Sequence, residues 1–260
     1  MGRVAVSADH HLQFEDPSAS AAFAKHEWCV LGTVLGLRRR QPGSVEPTIV
    51  TSLEAIAGVG LSNDSHADPL SPRQVLLAGS DAYDELALPS QALRENVLLD
   101  FPTNDLPSAA VLQIGNDVLL RTTFQCEPCG RLEGHHPGVL RRIGSRRGIL
   151  ARVIRSGRVQ VGDSVRCRVT EAVPLSDSWQ ERLLQVMDRV PHGRVVEYRQ
   201  LAKLAGVPKV YCRVFTKVLA KAAPDVGAKA RPGSVDDELR RWTGQELHQR
   251  DDEVALEELF

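Results

Sequence analysis

The hydrophobic residues of the chain change their spacing near residue 174, and this change limits the folds that the sequence can adopt. Before it, short apolar segments rich in β-branched residues are typical of strands. They lie at residues 30–37, 48–51, 74–78, 110–114, 117–122 and 149–154, with one helix predicted at residues 81–86. Many short strands separated by turns predict a closed or partly closed β-barrel.

Helical spacing follows the predicted barrel. Ser178 and Glu181 stand at the positions of a capping box, and apolar residues then recur at helical intervals over residues 179–190. A second helix is predicted at residues 198–205, and a third begins at Pro208, because proline is tolerated at the first position of a helix. The sequence therefore predicts an α+β protein, in which a β-barrel precedes a small helical domain.

Charge and composition divide the chain further. Residues 1–27 lack a lasting period and predict a loosely ordered leader, so that the barrel domain is expected at residues 28–173. Residues 173–231 hold eleven Lys or Arg against five Asp or Glu, whereas residues 232–260 hold three against nine. We therefore expect a basic helical domain at residues 174–231 and an acidic C-terminal tail at residues 232–260, which is able to fold back over the basic face.

The cysteines and the overall charge exclude several classes of protein. A net charge of -1 excludes a uniformly basic protein that wraps nucleic acid. An odd, dispersed set of five cysteines in a chain of 260 residues is typical of a reducing compartment. We find no apolar stretch long enough for a membrane span and no signal-peptide pattern, so we expect a cytoplasmic or nuclear protein without a membrane partner. The cysteines are Cys29, Cys126, Cys129, Cys167 and Cys212.

Residues 126–129, which read Cys-Glu-Pro-Cys, place two thiols beside a rigid proline. Arg121 and Arg131 are close in sequence, and nearby cations favour the nucleophilic thiolate. Two alternatives stay open from the spacing alone. The cysteines are buried and inert, or they form a zinc site together with His135 and His136.

Six short motifs follow one another along the predicted barrel. They are Gly-Leu-Ser-Asn-Asp-Ser-His at 60–66 followed by 71–75, Arg-Glu-Asn-Val at 94–97, Leu-Gln-Ile-Gly at 112–115, Glu-Pro-Cys at 127–129, residues 148–153 and residues 157–163. In this order they resemble the MOSC domain, the module named after the C-terminal region of molybdenum cofactor sulfurases. The resemblance covers residues 31–169 and departs from the family at Arg94, where the motif has glycine.

The resemblance implies a β-barrel whose reactive cysteine is Cys129. That cysteine either ligates molybdenum of a pterin cofactor or carries sulfur as a persulfide, and a soft thiolate suits both uses. A molybdenum cofactor-dependent oxidoreductase or a sulfur transferase follows, with an unidentified redox or sulfur-donor protein as partner. The candidate cofactor-binding residues are Asp64, His66, Arg73, Glu95 and Asn96.

Each candidate also has a structural reading. Asp64 and His66 are able to stabilise their own turn, and Glu95 and Asn96 to close a helix end. Arg73 lies within a matched motif and is expected to bind an anionic group, such as a pterin phosphate, through its planar fork. A run of arginines offers further phosphate donors or is simply a solvated loop. It comprises Arg141, Arg142, Arg146 and Arg147.

The third predicted helix has an apolar stripe and an opposite row of cations spaced four residues apart. A charge row is usually only a solvated face, but in a basic segment, on the second helix of a helix-turn-helix, it favours contact with DNA. The row consists of Lys209, Arg213, Lys217 and Lys221.

Residues 179–231 resemble the winged-helix DNA-binding domain of alkylguanine-DNA alkyltransferases and their alkyltransferase-like relatives. The resemblance rests on residues 179–182 with 190–195, on 198–202 and on 206–214. It implies that Tyr198 helps to rotate a damaged nucleotide and that Arg213 fills the vacated stack. The acceptor motif Pro-Cys-His-Arg of the repair enzymes is absent, since residues 229–231 read Lys-Ala-Arg. No alkyl transfer is therefore expected.

Two hypotheses about function follow. The chain is a molybdenum- or sulfur-handling protein with an appended DNA-binding domain, or it is a non-enzymatic sensor of alkylated DNA in which the barrel is a scaffold. A third reading makes the barrel a scaffold without cofactor and the helical domain a protein-interaction module.

Overall fold

The computed structural model describes residues 27–44, 46–221, 224–231 and 240–259. The predicted leader, apart from residue 27, and residues 232–239 of the predicted tail lie outside these ranges. The strands are β1 (Cys29–Arg39), β2 (Thr48–Val50), β3 (Ser52–Ile56), β4 (Gly60–Leu61), β5 (Val75–Gly79), β6 (Val97–Leu99), β7 (Val111–Ile114), β8 (Val118–Gln125), β9 (Ile149–Arg155), β10 (Gly157–Gln160), β11 (Ser164–Arg168), β12 (Val196–Glu197) and β13 (Ala230–Arg231).

The helices are α1 (Asp81–Leu86), α2 (Gly130–His135), α3 (Leu140–Ile143), α4 (Trp179–Asp188), α5 (Tyr198–Leu204), α6 (Phe215–Leu219), α7 (Pro224–Gly227) and α8 (Leu247–Glu257). Two 3₁₀ helices, Gly144–Arg147 and Lys209–Val214, complete the described elements. None of these described helices is long and apolar enough to cross a membrane.

Seven strands close into a barrel. Their order is β11-β7-β8-β9-β5-β6-β1, and β1 pairs again with β11, so that Cys29 lies opposite Cys167 where the ring closes. β2 extends the end of β1, and the small sheet β10-β3-β4 adds Leu53, Ala55 and Val159 to the same core. The β5–β6 pair is parallel, and the other barrel pairs are antiparallel. The predicted β-barrel and the α+β class are confirmed.

The central barrel strands are buried on both faces, which explains why β8 and β9 are almost continuously buried. Leu120 and Val153 belong to the barrel core. Their sequence neighbours Arg121 and Arg152 point to the outer face and lie opposite each other in the two paired strands. Both arginines are almost fully buried, with exposed fractions of 0% and 1%. The outer face of these strands is therefore covered by another element.

That covering element is α8, within the segment predicted as an acidic tail. Asp252 forms ion pairs with Arg121 and Arg152, and Asp251 with Arg189, the residue that follows α4. Ala255 packs with the outer barrel residues, and Leu247 joins the core of the helical unit. The two buried carboxylates of this segment are thus paired with arginines outside the predicted row of cations.

The helical unit begins as predicted. The Ser178 side chain accepts a hydrogen bond from the backbone N–H of Glu181 at 3.4 Å, which starts α4. The capping box is only half formed, since the Glu181 carboxylate accepts from the Ser176 hydroxyl at 2.6 Å instead. α5 also matches its prediction, and the described strand pairs of this unit are the parallel pair β12–β13 and the bridge from Val195 to Arg241.

The third helix differs from the prediction. Lys209–Val214 is a 3₁₀ helix, and only Phe215–Leu219 continues as α-helix. β-branched and aromatic residues in this segment have low helix propensity, which weakens the α-helical form. A spacing of four aligns side chains only on an α-helix, so the predicted row of four cations does not form one continuous α-helical face.

Candidate functional site

The two cysteines of the Cys-Glu-Pro-Cys segment lie in the connection between β8 and α2. The backbone N–H of Cys126 donates to the Gly148 carbonyl at 2.7 Å, and the Cys126 side chain is buried. Cys129 stands immediately before α2 in an extended conformation, and its thiol is exposed. The structure therefore separates a buried thiol from an accessible one three residues later.

Glu127, between the cysteines, is held by two arginines. Arg73 Nη1 donates to one carboxylate oxygen at 2.8 Å, and Arg182 of α4 donates to the other. The Arg182 guanidinium also lies over the Phe124 ring, 3.5 Å from its centroid. Burial alone would raise the pKa of Glu127, but the charges of Arg182 and Arg73 outweigh it and hold that pKa below its usual value.

Arg73, predicted to bind an anion, already has protein partners. Besides Glu127, it donates to the Gly206 carbonyl at 3.1 Å and to Cys126 Sγ at 3.6 Å. Burial opposes its charge, but the neighbouring Cys126, Glu127 and Cys129 outweigh burial and raise its pKa. A phosphate would have to compete with Glu127 for this guanidinium, so the anion-binding role of Arg73 stays a prediction.

Asp64 organises the turn that carries His66. Its carboxylate accepts from the backbone N–H of Arg40 at 2.8 Å, from the Arg40 guanidinium and from the backbone N–H of His66 at 2.9 Å. Burial would raise the pKa of Asp64, but the Arg40 charge and these donors lower it. The buried carboxylate is thus fully used within the protein, which supports its structural reading.

Glu95 and Asn96 are fully buried, and like Asp64 they form hydrogen bonds to other protein groups. Glu95 pairs with Arg38 and accepts from the Tyr83 hydroxyl at 2.6 Å. Asn96 accepts from the Leu76 backbone at 3.0 Å and donates to Asp64 at 2.8 Å. Neither side chain has the exposure that direct contact with a cofactor requires, since both are 0% exposed.

Arg94, which stands where the MOSC motif has glycine, keeps the backbone conformation of a glycine. Its φ is 54°, in the left-handed region that favours glycine, which is the residue of the motif at this position. Its guanidinium also reaches the Ser44 carbonyl at 3.4 Å. The arginine keeps the backbone turn and adds a positive charge beside the His66 turn.

His66 remains accessible and lies in a positive environment. Its side chain is 46% exposed, and its pKa is lowered to about 4. Burial is the largest cause, followed by the charge of Arg40, and Arg73 and Arg94 contribute in the same direction. The imidazole is therefore neutral near pH 7, and the surrounding arginines favour an anionic group at this place.

We expect His66→Gln to reduce the pH dependence of stability. The folded pKa of about 4 lies below the ordinary 6.5, so the unfolded chain binds the proton more readily and stability falls as pH decreases through this window. Because the imidazole is half exposed, the effect stays well below the roughly 1.4 kcal/mol per pKa unit of a buried group. Urea unfolding across this window measures it, with the exposed His192→Gln as control. A His66→Gln slope equal to that of the wild type would contradict the assignment.

Other predicted residues are distributed differently. Arg121 pairs with Asp252 on the outer barrel wall, so it does not act on the thiols. Arg146 pairs with Glu85 and Arg147 donates to the Leu93 carbonyl, whereas Arg141 and Arg142 are exposed. In the part of the chain that the structure describes, no group of three or more His, Cys, Asp or Glu side chains is placed to hold a metal ion. The alternative zinc site is not tested by this finding, because the side chain of His135 lies outside the described part of the chain.

The helical unit presents its cations beside an apolar groove of about 570 Å³. Arg213, Lys217 and Lys221 line it together with apolar side chains of α4 and the 3₁₀ helix, whereas Lys209 lies outside it. Tyr198 packs edge-on against Phe215, and its hydroxyl lies 3.3 Å from that of Thr216. The apolar side chains in the groove are Trp179, Leu184, Val210, Tyr211, Val214 and Val218.

Sequence reasoning missed Glu127 and Arg182 as partners. One signal was present, because Arg182 interrupts the apolar stripe of α4 three residues after Trp179, at a position that faces a core. A charged residue at such a position needs a buried partner. Nothing in the sequence identifies that partner, which lies 55 residues earlier.

Comparisons with known proteins bear on the barrel. A sequence model described as MOSC domain matches residues 66–166, and the search of curated proteins gave no match. Among solved structures, the YUAD protein from Bacillus subtilis is similar, with 18% identity, a TM-score of 0.48, and coverage of 56% of this chain and 100% of that chain. YiiM from Geobacillus stearothermophilus has 16% identity and a TM-score of 0.43, and the match covers 74% of this chain and 99% of that chain. YiiM from Escherichia coli has 15% identity and a TM-score of 0.43, and the match covers 71% of this chain and 91% of that chain.

The matched residues run from the His66 turn through β5 to β11, and they include the Cys-Glu-Pro-Cys segment. They supply six of the seven strands that close the barrel, all except β1. The resemblance noted over residues 31–169 is thus confirmed over residues 66–166, and the chain contains a MOSC domain.

Proposed function

We propose that the MOSC domain uses Cys129 as its functional thiol, either as a ligand to molybdenum of a pterin cofactor or as a carrier of persulfide sulfur. The observation that carries this proposal is the contrast between the two cysteines. Cys129 is exposed at a fixed position after Pro128, whereas Cys126 is buried against Arg73. A soft, accessible thiolate suits both a molybdenum centre and a sulfur carrier.

The surroundings fit the cofactor in part. Cys129 would be the metal ligand, and His66 and Arg94 would meet the anionic portion of a pterin in their positive environment. Asp64, Glu95 and Asn96 would act through the frame that holds this turn, because their polar atoms are already paired. When bound, a molybdenum centre would supply redox chemistry, and the chain would hold and orient it.

Metal and sulfur analysis of the full chain tests the proposal. We expect protein purified from a host that makes molybdopterin to contain molybdenum near one equivalent, or sulfur released by cyanide. Absence of both would contradict the proposal and leave the barrel as a scaffold. Molybdenum would identify the oxidoreductase class, and labile sulfur without metal would identify the sulfur transferase class.

We also propose that the helical unit binds DNA. The observation in favour is that Lys209, Arg213, Lys217 and Lys221 are all exposed. Among the described residues, no carboxylate forms an ion pair with any of these four. Alkyl transfer is not part of the proposal, because the Cys212 thiol donates to the Tyr198 carbonyl at 3.4 Å and burial raises its pKa.

DNA affinity should fall steeply with salt. Each neutralised phosphate lowers log K by roughly 0.9 per tenfold rise in salt, and Arg213→Ala should reduce this slope by about 1. Titration of the full chain with duplexes that carry or lack one O6-methylguanine measures both effects, and Arg158→Ala on the barrel is the control. Tyr198→Ala should weaken binding to the damaged duplex more than to the intact one. Salt-insensitive binding, no binding, or a methyl group on Cys212 would each contradict the proposal.

A further inference from the structure

Residues 125–129, which end β8 and hold both cysteines, form the thiol segment. This segment is attached to the helical unit at Gln125 and at Glu127. The Asp177 carboxylate, just before α4, accepts from the backbone N–H of Gln125 at 2.7 Å. Arg182 of α4 donates to the Glu127 carboxylate. Gln125 is the last residue of β8, and Glu127 lies between the two cysteines. Both contacts therefore join the helical unit to the chain immediately before Cys129.

Arg182 is built to hold one position. Its Nε donates to the Ala205 carbonyl at 3.1 Å, and its Nη1 donates to the carbonyls of Ser176 at 2.7 Å and Asp177 at 2.9 Å. Its Nη2 donates to Glu127. Together these four hydrogen bonds fix the orientation of the guanidinium plane. The side chain is 0% exposed and lies on the Phe124 ring. A guanidinium with these fixed partners is a rigid support rather than a mobile surface charge.

Arg73 extends this support to the buried thiol. It donates to the other carboxylate oxygen of Glu127, to the Gly206 carbonyl of the helical unit and to Cys126 Sγ. Gly206 has φ of 62°, and a Cβ there would lie 2.8 Å from Phe124 and 2.9 Å from Pro72, which shows how closely the two units approach. Glu127 thus links the helical unit to the atoms around Cys126.

We infer that Arg182 is a positioning residue for the thiol segment, acting through Glu127. It keeps Cys126 buried, so that Cys129 is the exposed one of the two thiols in this segment. The inference rests on the proposed role of Cys129 and deepens it, because contacts from the helical unit then determine whether Cys126 or Cys129 is accessible to react. Loss of Arg182 leaves Glu127 with Arg73 as its charged partner, and the segment loses its attachment to α4.

Site-resolved alkylation of the full chain by iodoacetamide, followed by mass spectrometry across a range of pH, tests the inference. In the wild type we expect modification of Cys129 and protection of Cys126. In Arg182→Met we expect alkylation of Cys126 to rise at least about tenfold, because local opening becomes easier. Arg182→Lys should give an intermediate rate, since lysine lacks the planar fork.

Glu127→Gln provides a second route if Arg182→Met fails to fold. It should increase Cys126 alkylation as well, and the double variant should add little to either single change because both act through one contact. Arg189→Met is the matched control and should leave Cys126 protected, because Arg189 caps the end of the same helix and pairs with Asp251 instead. Folded Glu127→Gln or Arg182→Met with wild-type alkylation rates would overturn the inference.

The two proposals fail differently. Unchanged alkylation in these variants, together with molybdenum or labile sulfur that depends on Cys129, would overturn the positioning role and leave the proposed function intact. Exposure of Cys126 in the variants, without any molybdenum or labile sulfur in the wild type, would support the positioning role and contradict the proposed function.

Discussion

Replacing Asp252 with alanine is expected to lower the free energy of unfolding by about 3–5 kcal/mol, because it leaves two buried guanidinium groups without their charged partner. Arg121 Nε and Arg152 Nε approach its two carboxylate oxygens at 2.8 and 2.9 Å. Arg152 keeps the carbonyls of Pro69 and Ser71 as acceptors, whereas Asp252 is the only ion-pair partner of Arg121 among the described residues. The larger part of the loss should therefore arise at Arg121.

Equilibrium unfolding in urea measures this loss. Glu253→Ala is the matched control, because Glu253 is exposed on the same helix and should change stability by less than about 0.5 kcal/mol. If Asp252→Ala were as mild as Glu253→Ala, α8 would not be anchored to the barrel as described. The result also decides whether the acidic C-terminal segment is part of the folded core.

Gly148→Ala is expected to destabilise the protein by about 3 kcal/mol or more, through two effects that add. Gly148 has φ of 104°, which strains any residue with a Cβ, and that Cβ would lie 2.3 Å from the Leu77 carbonyl oxygen. The backbone of β5 has no room to move, because it lies between β9 and β6. Gly148 also accepts the Cys126 N–H, so the thiol segment should shift with it.

Gly162→Ala separates the two effects. Gly162 has φ of 89° with no atom within 4 Å of an added Cβ, so it carries the conformational strain without the clash and should cost about 1 kcal/mol. Urea unfolding of both variants gives the comparison. Equal losses at the two glycines would show that the close approach of Gly148 to Leu77 does not exist in solution.

The barrel strands and the first helices were predictable because local pattern and tertiary environment agree. Alternating or continuous apolar runs bounded by turns gave strands near their observed bounds, and α1 was predicted at its observed residues. The Ser178 cap and the apolar spacing after it located α4 for the same reason. Such agreement between local preference and packing is what allows a sequence to be interpreted residue by residue.

Long-range pairing explains what the sequence did not reveal. Asp252 meets Arg121 across 131 positions and Glu127 meets Arg182 across 55, and no local pattern records such partners. Composition described residues 232–260 as an acidic tail, but burial against the arginines makes part of it a packed helix. The 3₁₀ start of the third helix has a local cause instead, because the β-branched and aromatic residues there have low helix propensity.

The candidate site residues stay predictions, but the structure shows how some of them are arranged. Asp64 and Asn96 do lie together, linked by a hydrogen bond of 2.8 Å, and Glu95 precedes Asn96 in sequence. Motif positions identify these residues, but only burial shows that their polar atoms are used within the protein. The exposure of Cys129 and the burial of Cys126 could not be distinguished from a three-residue spacing.

The most direct test of the central claim compares Cys129→Ala with Cys126→Ala. Both variants of the full chain are purified from the same molybdopterin-producing host, and molybdenum and cyanide-labile sulfur are measured beside the wild type. We expect Cys129→Ala to lose the bound molybdenum or sulfur and Cys126→Ala to retain it, since Cys129 is exposed whereas Cys126 is buried. Loss in Cys126→Ala with full retention in Cys129→Ala would contradict the assignment of Cys129 as the functional thiol.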